Sequence, residues 1–135
     1  MSIQNTLQEL SQLFSIFDNP KDKFVQLMDM ARESAGLTEN EQTEQNKIYG
    51  CTSQAWVVAE AAADGTYQFR TDSDALIVKG LLTILERIFN GHSSTEIRSV
   101  NGNTVLDSVG LGGSISSQRT NGFASAIQKI QEIAV

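Results

Sequence analysis

The chain has 135 residues, 40% apolar and 19% charged, with one cysteine, one histidine and one proline. Ten basic against 16 acidic side chains leave a net charge of −6, a sign that argues against nucleic acid or anionic membrane as a partner. A single cysteine with a single histidine excludes an internal disulfide, a structural zinc site and a four-thiolate iron–sulfur cluster.

Ile3, Leu7, Leu10 and Phe14 recur at helical spacing and predict an amphipathic first helix. Asn19-Pro20 opens a second: asparagine caps free amides, and proline has no N–H to leave unpaired in the first turn. Its expected apolar face is Phe24, Leu27, Met28 and Ala31, with Gly36 as the stop. From Leu37 to Lys47 the chain is polar and acidic and reads as a loop.

The period then shortens. Asn46 to Tyr49 is expected as a short strand, and Gln54 to Ala63 as a second. Asp64-Gly65 signals a tight turn into a return strand, Thr66 to Thr71. Gly50-Cys51-Thr52-Ser53 would then form a hairpin tip. Asp72 or Asp74 is expected to cap a helix from Ala75 to Phe89, whose apolar residues cover nearly its whole circumference. Ser93 and Glu96 have capping-box spacing for a short helix. A helical piece around Val105 to Val109 and a last helix from Ser117 to Ile133 complete the chain. The order implies a single α+β domain over residues 1–135: two N-terminal helices, a small three-stranded antiparallel sheet, then C-terminal helices. No basic start followed by an apolar block marks the N-terminus, and Lys79, Glu86 and Arg87 interrupt the longest apolar stretch. With a free thiol, this points to the cytoplasm.

Two readings of Cys51 stand side by side: a small apolar core residue, or a presented thiol whose reactivity follows its thiolate fraction and access. Its polar turn favours the second. A hydrolytic Cys51–His92 pair would need the base within reach of the sulfur, but His92 follows a helix stop and is expected at the surface. Gly110, Gly112 and Gly113 lack the lysine of a phosphate-binding loop. Arg119, early in the last helix, opposes the helix dipole and is expected to pair with a carboxylate or an anion.

Asn46-Lys47-Ile48-Tyr49-Gly50-Cys51-Thr52-Ser53-Gln54-Ala55-Trp56 resembles the central motif of the SufE/CsdE family of sulfur acceptors. Asp72-Ser73-Asp74-Ala75-Leu76-Ile77-Val78-Lys79-Gly80-Leu81 is similar to its second motif, and Arg119-Thr120-Asn121-Gly122-Phe123 to its third. The chain departs from the family pattern at Thr52, commonly glutamine, and at Ser114 to Gln118, often His-Leu-[ST]-Pro-Ser. The resemblance implies a SufE-like fold and an accessory protein, with no turnover of its own, that activates a pyridoxal-phosphate-dependent cysteine desulfurase of SufS or CsdA type. Cys51 would accept sulfur as a persulfide and relay it to an iron–sulfur scaffold or another acceptor. No cofactor would bind this chain, the pyridoxal phosphate being the partner's. Gly50, Ser53, Gln54, Asp74 and Arg119 are the implied loop and partner-contact residues. The alternative is a non-covalent regulatory module in which Cys51 is incidental.

Overall fold

The computed structural model describes residues 2–50, 53–113 and 115–134. Helix α1 (Ile3–Ser15) buries Leu7, Leu10 and Phe14, as its spacing requires. Helix α2 (Pro20–Glu33) starts as expected, with the Asp22 amide donating to Asn19 Oδ1 at 2.9 Å. Its buried residues are Leu27, Met30 and Ala31, while Phe24 and Met28 are only half-buried. The stripe at i, i+3 and i+4 from Leu27 faces helix α3 (Leu76–Phe89), which rotates the apolar face toward Met30. That contact is backbone-close: a Cβ at Gly80 would lie 2.2 Å from the Leu27 carbonyl oxygen.

Strands β1 (Ala55–Ala61) and β2 (Thr66–Ser73) pair antiparallel from Ala55↔Ser73 to Ala61↔Tyr67. Gly65, at φ +86°, makes the turn. The sheet has three strands, but the third is β3 (His92–Ser93), pairing with Tyr67 and Thr66, rather than the expected segment 46–49. Asn90 and Gly91 bring β3 into place. The Asn90 side chain accepts from the Phe69 amide at 2.6 Å and donates to the Phe69 carbonyl at 3.3 Å, substituting for a strand partner. The Gly91 amide donates to the Tyr67 carbonyl at 2.8 Å. Segment 46–49 reaches only an isolated bridge, Lys47↔Trp56, because Gly50 at φ +96° turns the chain out of the ladder.

Two further expectations are corrected. Neither Asp72 nor Asp74 caps α3; its N-cap is Ala75, without a side-chain hydrogen bond, and both carboxylates are bonded elsewhere. His92 is buried rather than exposed, because its place on β3 tucks the ring inward, with Nδ1 3.2 Å from Glu96 Oε2. The capping box of Ser93 and Glu96 starts α4 (Ser94–Arg98) as expected. Helices α5 (Val105–Ser108) and α6 (Ser117–Ile133) close the structure. One contiguous apolar core joins α1, α2, the sheet, α5 and α6 around α3, which contributes Leu81, Leu82, Ile84, Leu85, Ile88 and Phe89. Among the described residues, no helix is long and apolar enough to cross a membrane.

Candidate functional site

Cys51 and Thr52 lie outside the described residues, so the site is defined by the two stems that carry them. On the N-terminal side, the Ile48 amide donates to the Ala55 carbonyl at 2.8 Å and the Val57 amide to the Asn46 carbonyl at 2.9 Å. Ile48, Ala55, Trp56 and Val57 are all buried, so these bonds are shielded and fix the base of the loop against the core. Beyond Ile48 the chain emerges. Tyr49 is 62% exposed, with its hydroxyl donating to Glu44 Oε2 at 2.7 Å. Gly50 then runs close over α6: a Cβ there would stand 2.6 Å from Ser125 Oγ. Lys129, one turn further along α6, donates to the Gln45 carbonyl at 3.2 Å.

The C-terminal stem is tied to a different element. The Gln54 amide donates to Asp74 Oδ1 at 3.0 Å, and the Asp74 amide donates to the Gln54 carbonyl at 3.1 Å. The Ser73 hydroxyl also donates to the Gln54 carbonyl, at 2.7 Å. Gln54 and Asp74 are thus joined at the start of α3, and both are exposed. Ser53 is half-exposed. Of the sequence-derived candidates, Gly50, Ser53, Gln54 and Asp74 therefore converge on one loop base.

Asp72 supports this base from behind. It accepts from the amides of Leu37 at 2.9 Å and Ser73 at 2.8 Å, and lies 3.5 Å from Lys79 Nζ. Burial pushes its pKa up, but the two amides and the lysine outweigh burial and hold the carboxyl below its usual value. The acidic loop is fastened to β2 through Glu41 and Arg70, whose guanidinium also reaches Glu60 at 3.3 Å. The Arg70 hydrogen bond, with help from the Thr38 amide, lowers the Glu41 pKa to about 2.

Arg119 is half-buried in the first turn of α6, and its amide donates to the capping Ser116 Oγ at 3.3 Å. It makes no ion pair among the described residues, so the expected carboxylate partner is not among them. The side chain lines a cavity of ≈ 20 Å³ between α3 and α6, walled by Val78, Leu81, Leu82 and Phe123, with room for about one water-sized group. His92 stands elsewhere. It pairs with Tyr67, at the other end of β2 from Ser73, on the order of 20 Å away at ~3.3 Å per residue. Among the described residues, no group of three or more His, Cys, Asp or Glu side chains could hold a metal ion.

Sequence reasoning missed Ser73, Ser125 and Lys129. Ser73 lies inside a motif already singled out, where a hydroxyl before Asp74 is a turn signal. No pattern in the sequence links Ser125 or Lys129 to residues 45–50.

Residues 8–134 match the family described as SufE: Fe-S metabolism associated domain. An uncharacterized SufE-like protein of Rhizobium etli is 31% identical over 132 residues, covering 96% of this chain and 89% of that protein. One of Rhizobium meliloti is 33% identical over 132 residues, covering 96% and 94%. SufE-like protein 1, chloroplastic/mitochondrial, of Arabidopsis thaliana is 32% identical over 129 residues, covering 96% of this chain and 34% of that protein. The solution structure of a hypothetical protein from Thermus thermophilus superposes with a TM-score of 0.75 at 18% identity, covering 94% of this chain and 91% of that one. At that identity the likeness is one of fold.

Proposed function

The chain belongs to the SufE family, associated with iron–sulfur metabolism, and we propose that it accepts sulfur from a cysteine desulfurase onto Cys51, activating that enzyme. The observation that carries this reading is the frame around the thiol. The residues that lead into and out of Cys51 and Thr52 rise from a base that is bonded into the core, and Tyr49 and Gln54 on either side are exposed. A rigid base with exposed flanks suits a thiol presented to another protein.

The step conserves atoms and electrons. The Cys51 thiolate attacks the outer sulfur of a persulfide, R–S–SH, on the desulfurase. The old S–S bond breaks, a new one forms as Cys51–S–SH, and the partner's sulfur leaves as thiolate. No oxidant or reductant is consumed. The pyridoxal phosphate that removes sulfur from free cysteine belongs to the desulfurase, and this chain needs no cofactor. A second acceptor, such as an iron–sulfur scaffold, then attacks the Cys51 persulfide in the same way. With no second cysteine in the chain, no internal thiol competes for the cargo. Gly50, Ser53, Gln54 and Asp74 shape the loop, and Arg119 offers a cation to the partner. A reducing compartment such as the cytoplasm keeps the thiol ready.

The test is desulfurase turnover with the wild-type chain and with Cys51→Ser. Stimulation by the wild type that is lost in Cys51→Ser supports sulfur acceptance. Full stimulation by Cys51→Ser would instead assign a non-covalent regulatory module.

A further inference from the structure

Strand β1 is an edge strand of the sheet, and part of its outer edge already carries a neighbouring segment. Its even-numbered residues bond toward β2: the Asp74 amide donates to the Gln54 carbonyl, and the Ala62 amide to the Thr66 carbonyl at 2.8 Å. An antiparallel ladder alternates, so the odd-numbered residues turn their N–H and C=O groups outward. There the Ala55 carbonyl accepts from Ile48, and the Val57 amide donates to Asn46. Beyond Asn46 the cover ends. The Asn46 and Lys47 amides donate to the Thr43 and Glu44 carbonyls, a turn that takes the chain off the edge.

The edge itself continues. The Val57 carbonyl and both backbone groups of Ala59 and Ala61 point outward, and none has a hydrogen-bond partner among the described residues. The register from Ala55 to Ala61 is unbroken, without the proline, lysine or bulge that commonly protects a sheet edge. Ala59 is half-exposed and Ala61 exposed, so a second backbone can approach. The surroundings are acidic: Glu60 on the edge, Asp64 at the hairpin tip and Glu44 in the departing turn are all exposed. The bases of these elements are engaged. Arg70 pairs with Glu41 and Glu60, Lys47 lies over the Tyr49 ring, and Lys129 of α6 bonds the Gln45 carbonyl.

We infer that this edge, from Val57 to Ala61, is a docking site for an extended basic segment of a partner protein, which adds to the sheet alongside β1. At ~3.3 Å per residue the site has room for about five residues of the added strand. Backbone bonds to Val57, Ala59 and Ala61 hold it. Its side chains alternate. Those opposite Ala59 and Ala61 lie on the face that Val57 turns to the core and suit apolar groups, and those on the other face suit lysine or arginine beside Glu60. A second copy of this chain is the poorer occupant, because it brings another Glu60, another Asp64 and another net charge of −6 to the same edge. The inference goes beyond sulfur acceptance and does not rest on it.

The test uses the full isotope-labelled chain and three peptides. The first is acetyl-Lys-Val-Lys-Val-Lys-Val-Lys-amide; the second has proline for the central valine, and the third has glutamate for every lysine. Amide resonances are followed by NMR during titration, and sedimentation reads the oligomeric state of the chain alone. The first peptide is expected to shift the amides from Val57 to Ala61 and to slow exchange at Ala59 and Ala61 about tenfold at saturation. The other two bind at least about fivefold more weakly. Ala61→Pro removes one outward N–H and no bond to β2, and is expected to weaken the first peptide about fivefold. Glu60→Lys does so through charge alone. Equal binding of the proline peptide would reveal unspecific charge attraction and overturn the inference. Shifts confined to another surface, or pairing of the chain with itself through Ala59 and Ala61, would overturn it too. If Ala61→Pro does not fold, Glu60→Lys and the proline peptide decide, and unchanged affinity in both overturns the site.

Discussion

Gln54 and Asp74 bond to each other twice, the Gln54 amide to the Asp74 carboxylate at 3.0 Å and the Asp74 amide to the Gln54 carbonyl at 3.1 Å. Twenty residues apart in sequence, they join the exit of the cysteine loop to the entry of α3. The carboxylate is thereby diverted from capping α3, the role that its position before a helix implies.

Asp74→Ala removes the charged acceptor of this pair. The expected loss of stability is about 1 kcal/mol, because the site is exposed and water replaces the bond. Asp74→Asn retains a carbonyl acceptor and recovers most of that loss. Urea unfolding of the three proteins checks the ranking, and equal midpoints would show that the bond does not hold the loop base.

Gly80→Ala sets two effects against each other. Alanine gains about 1 kcal/mol of helix propensity over glycine. The new Cβ, however, would lie 2.2 Å from the Leu27 carbonyl oxygen, and forcing α2 and α3 apart costs more than propensity returns. A net destabilisation of about 1–3 kcal/mol is expected, read from urea midpoints. A more stable variant would mean that the helices separate freely.

Two carboxyls make opposite contributions to the pH dependence of stability. Hydrogen bonding to Arg70 lowers the Glu41 pKa from 4.5 to about 2. Its contribution is therefore present above pH 4.5 and is lost as pH falls toward 2. Burial raises the Glu86 pKa above 4.5, against the Thr71 hydroxyl that bonds it. Its favourable contribution is present below 4.5 and is lost as pH rises through the raised value. Glu41→Gln is thus expected to flatten the acid limb of a melting-temperature profile, and Glu86→Gln to improve stability near neutrality relative to acid. The reverse slopes would contradict these assignments.

His92→Asn tests whether the histidine takes part in the chemistry. With His92 buried beside Glu96 at the far end of β2, the variant is expected to melt at a lower temperature yet accept sulfur normally while folded. Loss of acceptance in the folded variant would revive a cysteine–histidine mechanism.

Much of this structure is legible in the sequence because the information is local. The Asn19-Pro20 start, the Asp64-Gly65 turn and the Ser93–Glu96 capping box each satisfy backbone groups within a few residues, and each forms where expected. The misreadings share a different cause. β3 depends on the Asn90 side chain standing in for a strand partner of Phe69. The same pairing draws His92 into the interior. Asp72 and Asp74 fit the pattern of caps, but amides of Leu37 and Gln54 reach them first. The same holds for the site: Gly50 and Asp74 are visible as motif residues, while the helix beneath Gly50 comes from 75 positions later in the chain.

Sulfur acceptance is tested most directly by the intact mass of this protein after incubation with a cysteine desulfurase and free cysteine. A gain of one or more sulfur atoms, located at Cys51, removed by reductant and absent from Cys51→Ser, is the expected result. An unchanged mass while desulfurase turnover still rises would contradict it.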